Sequence, residues 1–384
     1  MDEKTRDEKI RVDETVGRSV YKPSNKSRVA VLKTRPETVV EDYKNLMRMV
    51  GYDKFLKKGK TTILKNNISW HFPYPGANTT PWQMEAVIQC LKEDGYEDIV
   101  CVENKTVVTN AYKGEKLNKY VNIFKKYRIP VLYNFRKEDM KWVKYEPKGK
   151  MLVLDKVFPG GIYIPDYFFD KNIIHLPTMK CHIYTTTTGA MKNAFGGLLD
   201  AKRHYCHSVI HKTLVDLLRI QQEIHPGIFA VVGGTVAGNG PGPRTMTPVE
   251  ANLILAGGDQ VAVDAVSSKI MGFDPAGLEY ISEADREGLG NGRLENVEVI
   301  GEDISKINLG FSVGDNAASK VGDMLWFGPL KKLQWLMFHT PVVNVFIFGS
   351  ALYHDIIWYN LRGKKVVRNF QDNTEWGRLF KSYN

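Results

Sequence analysis

Groups able to do chemistry are densest between residues 175 and 211, HLPTMKCHIYTTTTGAMKNAFGGLLDAKRHYCHSVIH. There Lys180, His182, the threonines Thr185 to Thr188, Lys192 and Asn193 stand between an apolar run and a glycine pair. Polar loops beyond strand ends are where α/β sheets bind ligands. From Thr185 to Gly189 the chain can offer hydroxyls and backbone N–H groups to an anion, with Lys192 adding a compact positive charge. The pattern is not a Walker A loop, because no glycine directly precedes Lys192 and Asn193 stands where Ser or Thr belongs. The plain alternative is a threonine-rich loop with an exposed lysine.

His204, His207 and His211 follow at spacings of three and four, which places them on one face if the segment is helical. Such a face suits a metal or a proton relay. The spacing, even with Cys181, His182 and Cys206 nearby, fits no standard zinc module, so no metal is assigned. A second glycine-rich stretch, VVGGTVAGNGPGPRTMTP, follows a strand, but Pro241 and Pro243 break the dinucleotide fingerprint and a tight irregular turn is the simpler account. Arg244 beside it can grip two oxygens of an anion. In DQVAVDAVSSKIMG the polar Gln260, Asp264, Ser267 and Ser268 share a helical face, as in any amphipathic helix.

These residues need a scaffold, and the flanking patterns supply one. RVAVLKT, TTILKNNI and DIVCVEN read as strands, PETVVEDYKNLMRMVG as a helix stopped by Gly51, and PWQMEAVIQCLKEDGY as a helix opening on Pro81. Strand, helix and strand in succession imply parallel pairing through a right-handed crossover. Further strands are expected at IPVLYN, MLVLDKV, NIIHLPT, GIFAVVGG, NLILAGG and VEVIG, and helices at VIHKTLVDLLRIQQEI and from Asp259 to Gly272. The expected fold class is α/β, a mostly parallel sheet with helices on both faces. It spans residues 27–320, behind a charged mobile arm (1–26) and ahead of an aromatic, basic C-terminal segment (321–384).

With 43% hydrophobic and 25% charged residues in 384, the chain can bury a core, which excludes wholesale disorder. A net charge of +10 favours anionic partners without selecting among phosphate groups, nucleic acid and lipid. The four scattered cysteines and the polar N-terminus point to a reducing cytoplasm, with no secretory signal. Lys331, Lys332, His339, Pro341, Asn344, His354 and Asp355 interrupt the C-terminal apolar run, and a membrane span needs about 20 apolar residues, so a full span is disfavoured. That segment is expected either to dock on an anionic membrane at the inner face or to pack on the body or in a homodimer interface.

Taken together, the blocks LKNN (Lys65, Asn67), TTPW (Thr79 to Pro81), Lys180 and His182, TGAMKNAFGG, GNGPGP and VAVDAV resemble the domain of unknown function 362 family, in order, over residues 28 to 303. Two departures accompany the resemblance. Gly233 stands where family members often carry aspartate, and the cysteines cannot supply the ferredoxin segments of other members. The loop from Gly189 to Lys192 is also similar to the lysine loop of nickel-pincer lactate racemases. On this footing the chain is expected to be an enzyme, or a cofactor binder of unknown cofactor, acting on a phosphate- or carboxylate-bearing small molecule. Lys65, Asn67, Lys180, Thr188, Asn193 and Arg244 would bind it, and His182, Lys192, His207 and Asp264 would carry the chemistry, the histidines titrating near neutral pH. The alternative is a non-catalytic membrane-surface protein assembling a lipid-linked or cell-envelope product. Nucleic acid ranks last, since no recognised module appears.

Overall fold

The computed structural model describes residues 26–106, 108–315, 328, 340 and 342–383. The expected arm to Asn25, and Trp326, Phe327, Lys331, Lys332, Trp335 and Phe338 of the C-terminal segment, lie outside the described residues.

Strands β1 (Ser27–Lys33), β2 (Thr62–Asn66), β3 (Ile99–Glu103) and β4 (Val131–Tyr133) are followed by the hairpin strands β5 (Trp142–Tyr145) and β6 (Ile162–Pro165). Next come β7 (Asn172–Leu176), β8 (Thr178–His182), β9 (Thr186–Thr187), β10 (Ile228–Asn239), β11 (Thr247–Val249), β12 (Leu253–Gly257) and β13 (Val297–Gly301). The main sheet runs β13-β1-β12-β10-β7-β2-β3-β4. Every neighbouring pair is parallel except the two made by β12, which runs against β1 and β10. The fold is α/β with a mostly parallel sheet.

Successive strand residues point to opposite faces. Accordingly Ile63 and Ile173 enter a core with the Ile210–Ile224 helix, while their neighbours Leu64 and Ile174 enter another with the Val39–Val50 and Pro81–Glu93 helices. Covering both faces is why these strands are continuously apolar. The helix ends follow their chemistry: Asp259 accepts from the N–H groups of Val261 and Ala262, and Gly272 closes that helix with φ of 104°.

Three expectations are corrected. MLVLDKV is not a strand; it holds a short helix, Leu154–Val157, because the Asp216 carboxylate accepts from the N–H groups of Leu152, Val153 and Leu154 at 2.7 to 2.9 Å. The apolar run fills a core without pairing. Gly233, Gly234 and Gly238 belong to the long strand β10, and the turn begins only at Gly240. A side chain on Gly233 would bring its Cβ within 2.4 Å of Gln83 Oε1, so Gln83 fills the space beside this strand position. Finally, Gln260, Asp264, Ser267 and Ser268 do not form a solvated face: all four are buried.

The C-terminal segment is anchored on this body. Its helices run through Val343–Ala351, a π-helical stretch Leu352–Gly363, Lys364–Asn373 and Glu375–Ser382. Trp358 and Tyr359 pack with Trp70, Phe72 and Tyr74, and Phe370, Trp376 and Phe380 complete the core around the Pro81–Glu93 helix.

Candidate functional site

Lys65 is the penultimate residue of β2, Glu103 ends β3 and His182 ends β8, and beyond these carboxyl ends lies a cavity of about 380 Å³. That volume suits a small molecule. Lys65, Asn67, His182, Thr188, Lys192, Asn193, His207 and Arg244 line it, joined by Arg203 and by Val343, Phe346 and Ile347 of the C-terminal helix. Lys180 and Asp264 do not. No local pattern singles out Arg203, which sits among the histidines, or the helix that completes the wall.

Lys180 is fully buried behind the wall. Its ammonium donates to Asn67 Oδ1 at 2.5 Å, Ser69 Oγ at 2.7 Å and the Ala77 carbonyl, tying down the loop after β2. Asn193 extends the frame, donating from Nδ2 to the Lys65 carbonyl at 2.7 Å and accepting at Oδ1 from Asn67 Nδ2 at 3.2 Å. Asp264 holds the short Gly189–Asn193 helix from below. Its Oδ1 accepts from Ala190 N–H at 2.5 Å and its Oδ2 from Met191 N–H at 3.1 Å. Gly189 makes this approach feasible, since its φ is +61° and a Cβ there would lie 2.3 Å from Asp264 Oδ2.

This geometry corrects the expected anion cradle. The helix-terminal N–H groups of Ala190 and Met191 are taken by Asp264, and the Thr185 and Thr187 hydroxyls turn inward, to the Thr187 carbonyl and the Tyr280 hydroxyl. Of the four threonines only Thr188 lines the cavity, and its buried Oγ1 has no hydrogen-bond partner among the described residues. Arg244 Nη1 is likewise buried and unpartnered.

The cavity's electrostatics are one-sided. Lys65, Lys192, Arg203 and Arg244 line it, and none of its described lining residues is Asp or Glu. Burial, helped by the Arg203 charge, pushes the Lys192 ammonium down to about 8, and its Nζ lies 5.6 Å from the Phe195 ring centre. Burial likewise lowers Arg203 and Arg244 to about 10. The Arg203 guanidinium is fixed by the Lys105 carbonyl at 2.8 Å.

The histidines depart from the neutral-pH titration expected of them. Burial pushes His207 down to about 4 and His182 well below its ordinary value, with the Lys192 charge adding to both. Both rings are therefore neutral near pH 7. His182 Nδ1 accepts the Tyr184 N–H at 3.2 Å, which leaves the proton on Nε2. His207 Nδ1 faces the His204 carbonyl at 2.8 Å and so carries the proton, leaving Nε2 as the acceptor. The pair thus offers one N–H donor and one base. His204 and His207 line the cavity, but the 3-10 turn Ala201–Val209 breaks the helical face, and His211 stacks on Tyr280 instead. Among the described residues no three His, Cys, Asp or Glu side chains gather to hold a metal ion.

The residues that frame this cavity, from β2 to the Asp264 helix, fall inside one family's pattern, which matches residues 62–269. The chain belongs to the family described as Domain of unknown function (DUF362). A thylakoid-associated protein of Synechocystis sp. is 24% identical over 245 residues, covering 62% of this chain and 71% of that protein. No solved structure matches the chain. The family pattern takes in Lys65, Lys192, Arg203 and Asp264 but stops before the C-terminal helix that supplies the remaining wall.

Proposed function

We propose that this chain binds an anionic small molecule, phosphate- or carboxylate-bearing, in the cavity beyond β2, β3 and β8, and acts on it as an enzyme or cofactor-dependent protein. The carrying observation is a cationic wall with no Asp or Glu among its described lining residues: Glu103, Asp200 and Asp355 stand behind Lys65, Arg203 and Arg244 and favour their charged forms, whereas Lys192 is pushed down to about 8 by burial and the Arg203 charge. Such charges are costly unless a counter-charge arrives. An anion would supply it, with Thr188 Oγ1 and Arg244 Nη1 gaining the partners they lack. Once an anion is bound, the histidine pKa values rise, and His182 and His207 become an acid and base pair beside it.

Titration with sulfate, followed by calorimetry, tests this. Sulfate keeps its charge across the neutral range, so any pH dependence belongs to the protein. Affinity is expected to fall as pH rises through about 8, where Lys192 loses its proton, and to tighten as pH falls below 7 because the histidines take up protons on binding. Lys192→Ala should weaken binding by roughly tenfold or more, the scale of one charge-assisted bond, with little change in melting temperature. Sulfate binding that ignores both the pH and the variant would overturn the proposal.

A second reading, non-catalytic work at a membrane surface, is supported by the outer face of the C-terminal helix. Val345, Phe348, Leu352, Ile356 and Leu361 are exposed along it, and the exposed Arg362, Lys364, Lys365 and Arg368 follow. Asp355, the sole carboxylate between residues 342 and 368, turns inward to Trp70 Nε1 at 2.6 Å. No described helix is long and apolar enough to cross a membrane, so the face would lie along the surface. The thylakoid-associated relative agrees with this reading. Sedimentation with anionic vesicles at low salt, reduced by Phe348→Glu, is the expected result; indifference to such vesicles would remove it.

A further inference from the structure

All the cations of the cavity wall come from the α/β body, which also supplies Phe195 and Pro243, whereas the C-terminal helix supplies mainly apolar side chains. The α/β body contributes Lys65, Lys192, Arg203 and the polar Asn67, Thr188 and Asn193. The C-terminal helix contributes Val343, Phe346 and Ile347, with Ser350 its only polar lining residue. Ile68 and Val108, from the loops after β2 and β3, add further apolar surface from the body. A compact polar anion would use the cationic part and leave this apolar surface against water.

The opposite side of the same helix is apolar too. Val345 and Phe348 are 68% and 67% exposed, one residue away from the lining pair Phe346 and Ile347. One helix therefore presents apolar side chains both into the cavity and away from the protein. An isolated polar metabolite gives no physical reason for either. A ligand with an anionic head and a hydrocarbon body accounts for the inner face, and a bilayer, where such molecules reside, accounts for the outer one.

We infer that the cavity takes an anionic amphiphile, its head among Lys65, Lys192 and Arg203 and its apolar portion against Phe346, Ile347 and Val343. This rests on the anion-site reading and adds the class of ligand to it. The phosphate and carboxylate forms of the head share the same recognition chemistry, so the two are separated by experiment.

The test is a chain-length series on the full-length protein: methyl, butyl and octyl phosphate below their micelle concentrations, with octanoate as the carboxylate arm. Each buried methylene is expected to raise affinity roughly fourfold, so octyl phosphate should bind at least tenfold tighter than methyl phosphate. Phe346→Ala combined with Ile347→Ala should bring that ratio towards one, and Lys192→Ala should weaken octyl phosphate by roughly tenfold. Whether octanoate or octyl phosphate binds better identifies the head. Methyl and octyl phosphate of equal affinity would overturn the amphiphile and leave the anion site standing. Octyl phosphate that binds the Lys192→Ala variant as tightly as the native protein would show simple detergent adsorption, and also overturns it. Failure of every phosphate and of octanoate to bind would remove the anion site itself. Should the double variant not fold, the ratio in the native protein still decides.

Discussion

Trp376→Ala is expected to destabilise the protein by about 3–5 kcal/mol, the cost of emptying a large aromatic site in a packed core. The indole is buried, stacks on Trp82 with ring centres 5.2 Å apart, and donates from Nε1 to Asn252 Oδ1 at 2.7 Å. Removing it deletes the stacking partner of Trp82 and leaves the Asn252 acceptor in a cavity. Leu361→Ser, at a site 75% exposed on the same segment, should change stability by no more than about 0.5 kcal/mol. Urea denaturation of the two variants makes the comparison. A Trp376→Ala protein with the native midpoint would mean that the tail detaches without cost, and the segment would have to be reassigned as a separable appendage.

The second large effect is at Asp264. Asp264→Ala leaves the Ala190 and Met191 N–H groups buried without acceptors, at about 1–3 kcal/mol each, so a loss of about 3 kcal/mol is expected. Asp264→Asn retains one acceptor and turns a donor towards the other N–H, which should cost less. Sulfate binding should weaken in both, because the helix carrying Lys192 is held by those two bonds. The pH dependence has a definite sign. Burial pushes the Asp264 carboxyl up to about 7, whereas an unfolded aspartate titrates near about 4. Between those values the folded protein holds a proton that the unfolded chain has lost, so this residue's contribution is full below about 4 and is lost as pH rises through about 7. The stability gap between the native protein and Asp264→Asn should therefore be widest at and below about pH 4, shrink as pH rises from there, and be narrow above 7. A gap independent of pH would contradict the raised carboxyl.

Much of the scaffold was legible because its signals are local. Alternating strand and helix patterns from Arg28 onward, Pro81 opening a helix, and Asp259 and Gly272 bounding another depend on a few adjacent residues, and each element stands where those residues place it. The loop around Lys192 was legible for the same reason: Lys192, Asn193 and Thr188 do line the cavity. What the sequence hid depends on direction and on distant partners. Asp264 looked like one member of a solvated polar face, and only the tertiary packing turns it towards Gly189. The threonine hydroxyls were expected to face a ligand, yet the Thr187 carbonyl and the Tyr280 hydroxyl draw those of Thr185 and Thr187 inward. MLVLDKV carries enough apolar character for a strand, and Asp216, more than 60 residues away, converts it. The C-terminal helix was the least legible part, since its aromatic composition suits a membrane, a dimer or a core alike. In the structure its faces are divided between the cavity, the Trp70 cluster and the exposed outer side.

The anchoring of that helix also bears on how the protein is made. Trp70 is paired with Asp355 across 285 residues, and the Pro81–Glu93 helix waits for Trp376 and Phe380 to complete its packing. At ribosomal speeds of about 5–20 residues per second, residues that distant emerge many seconds later. During that interval the early βαβ unit exposes apolar surface, and the cavity lacks the wall that only the late helix provides. Such long sequence separations slow folding and lengthen exposure to aggregation. The arrangement also means that no nascent chain can hold an amphiphilic ligand against Phe346 and Ile347 until its core is being closed by Trp376, so that competence to bind and completion of folding arrive together.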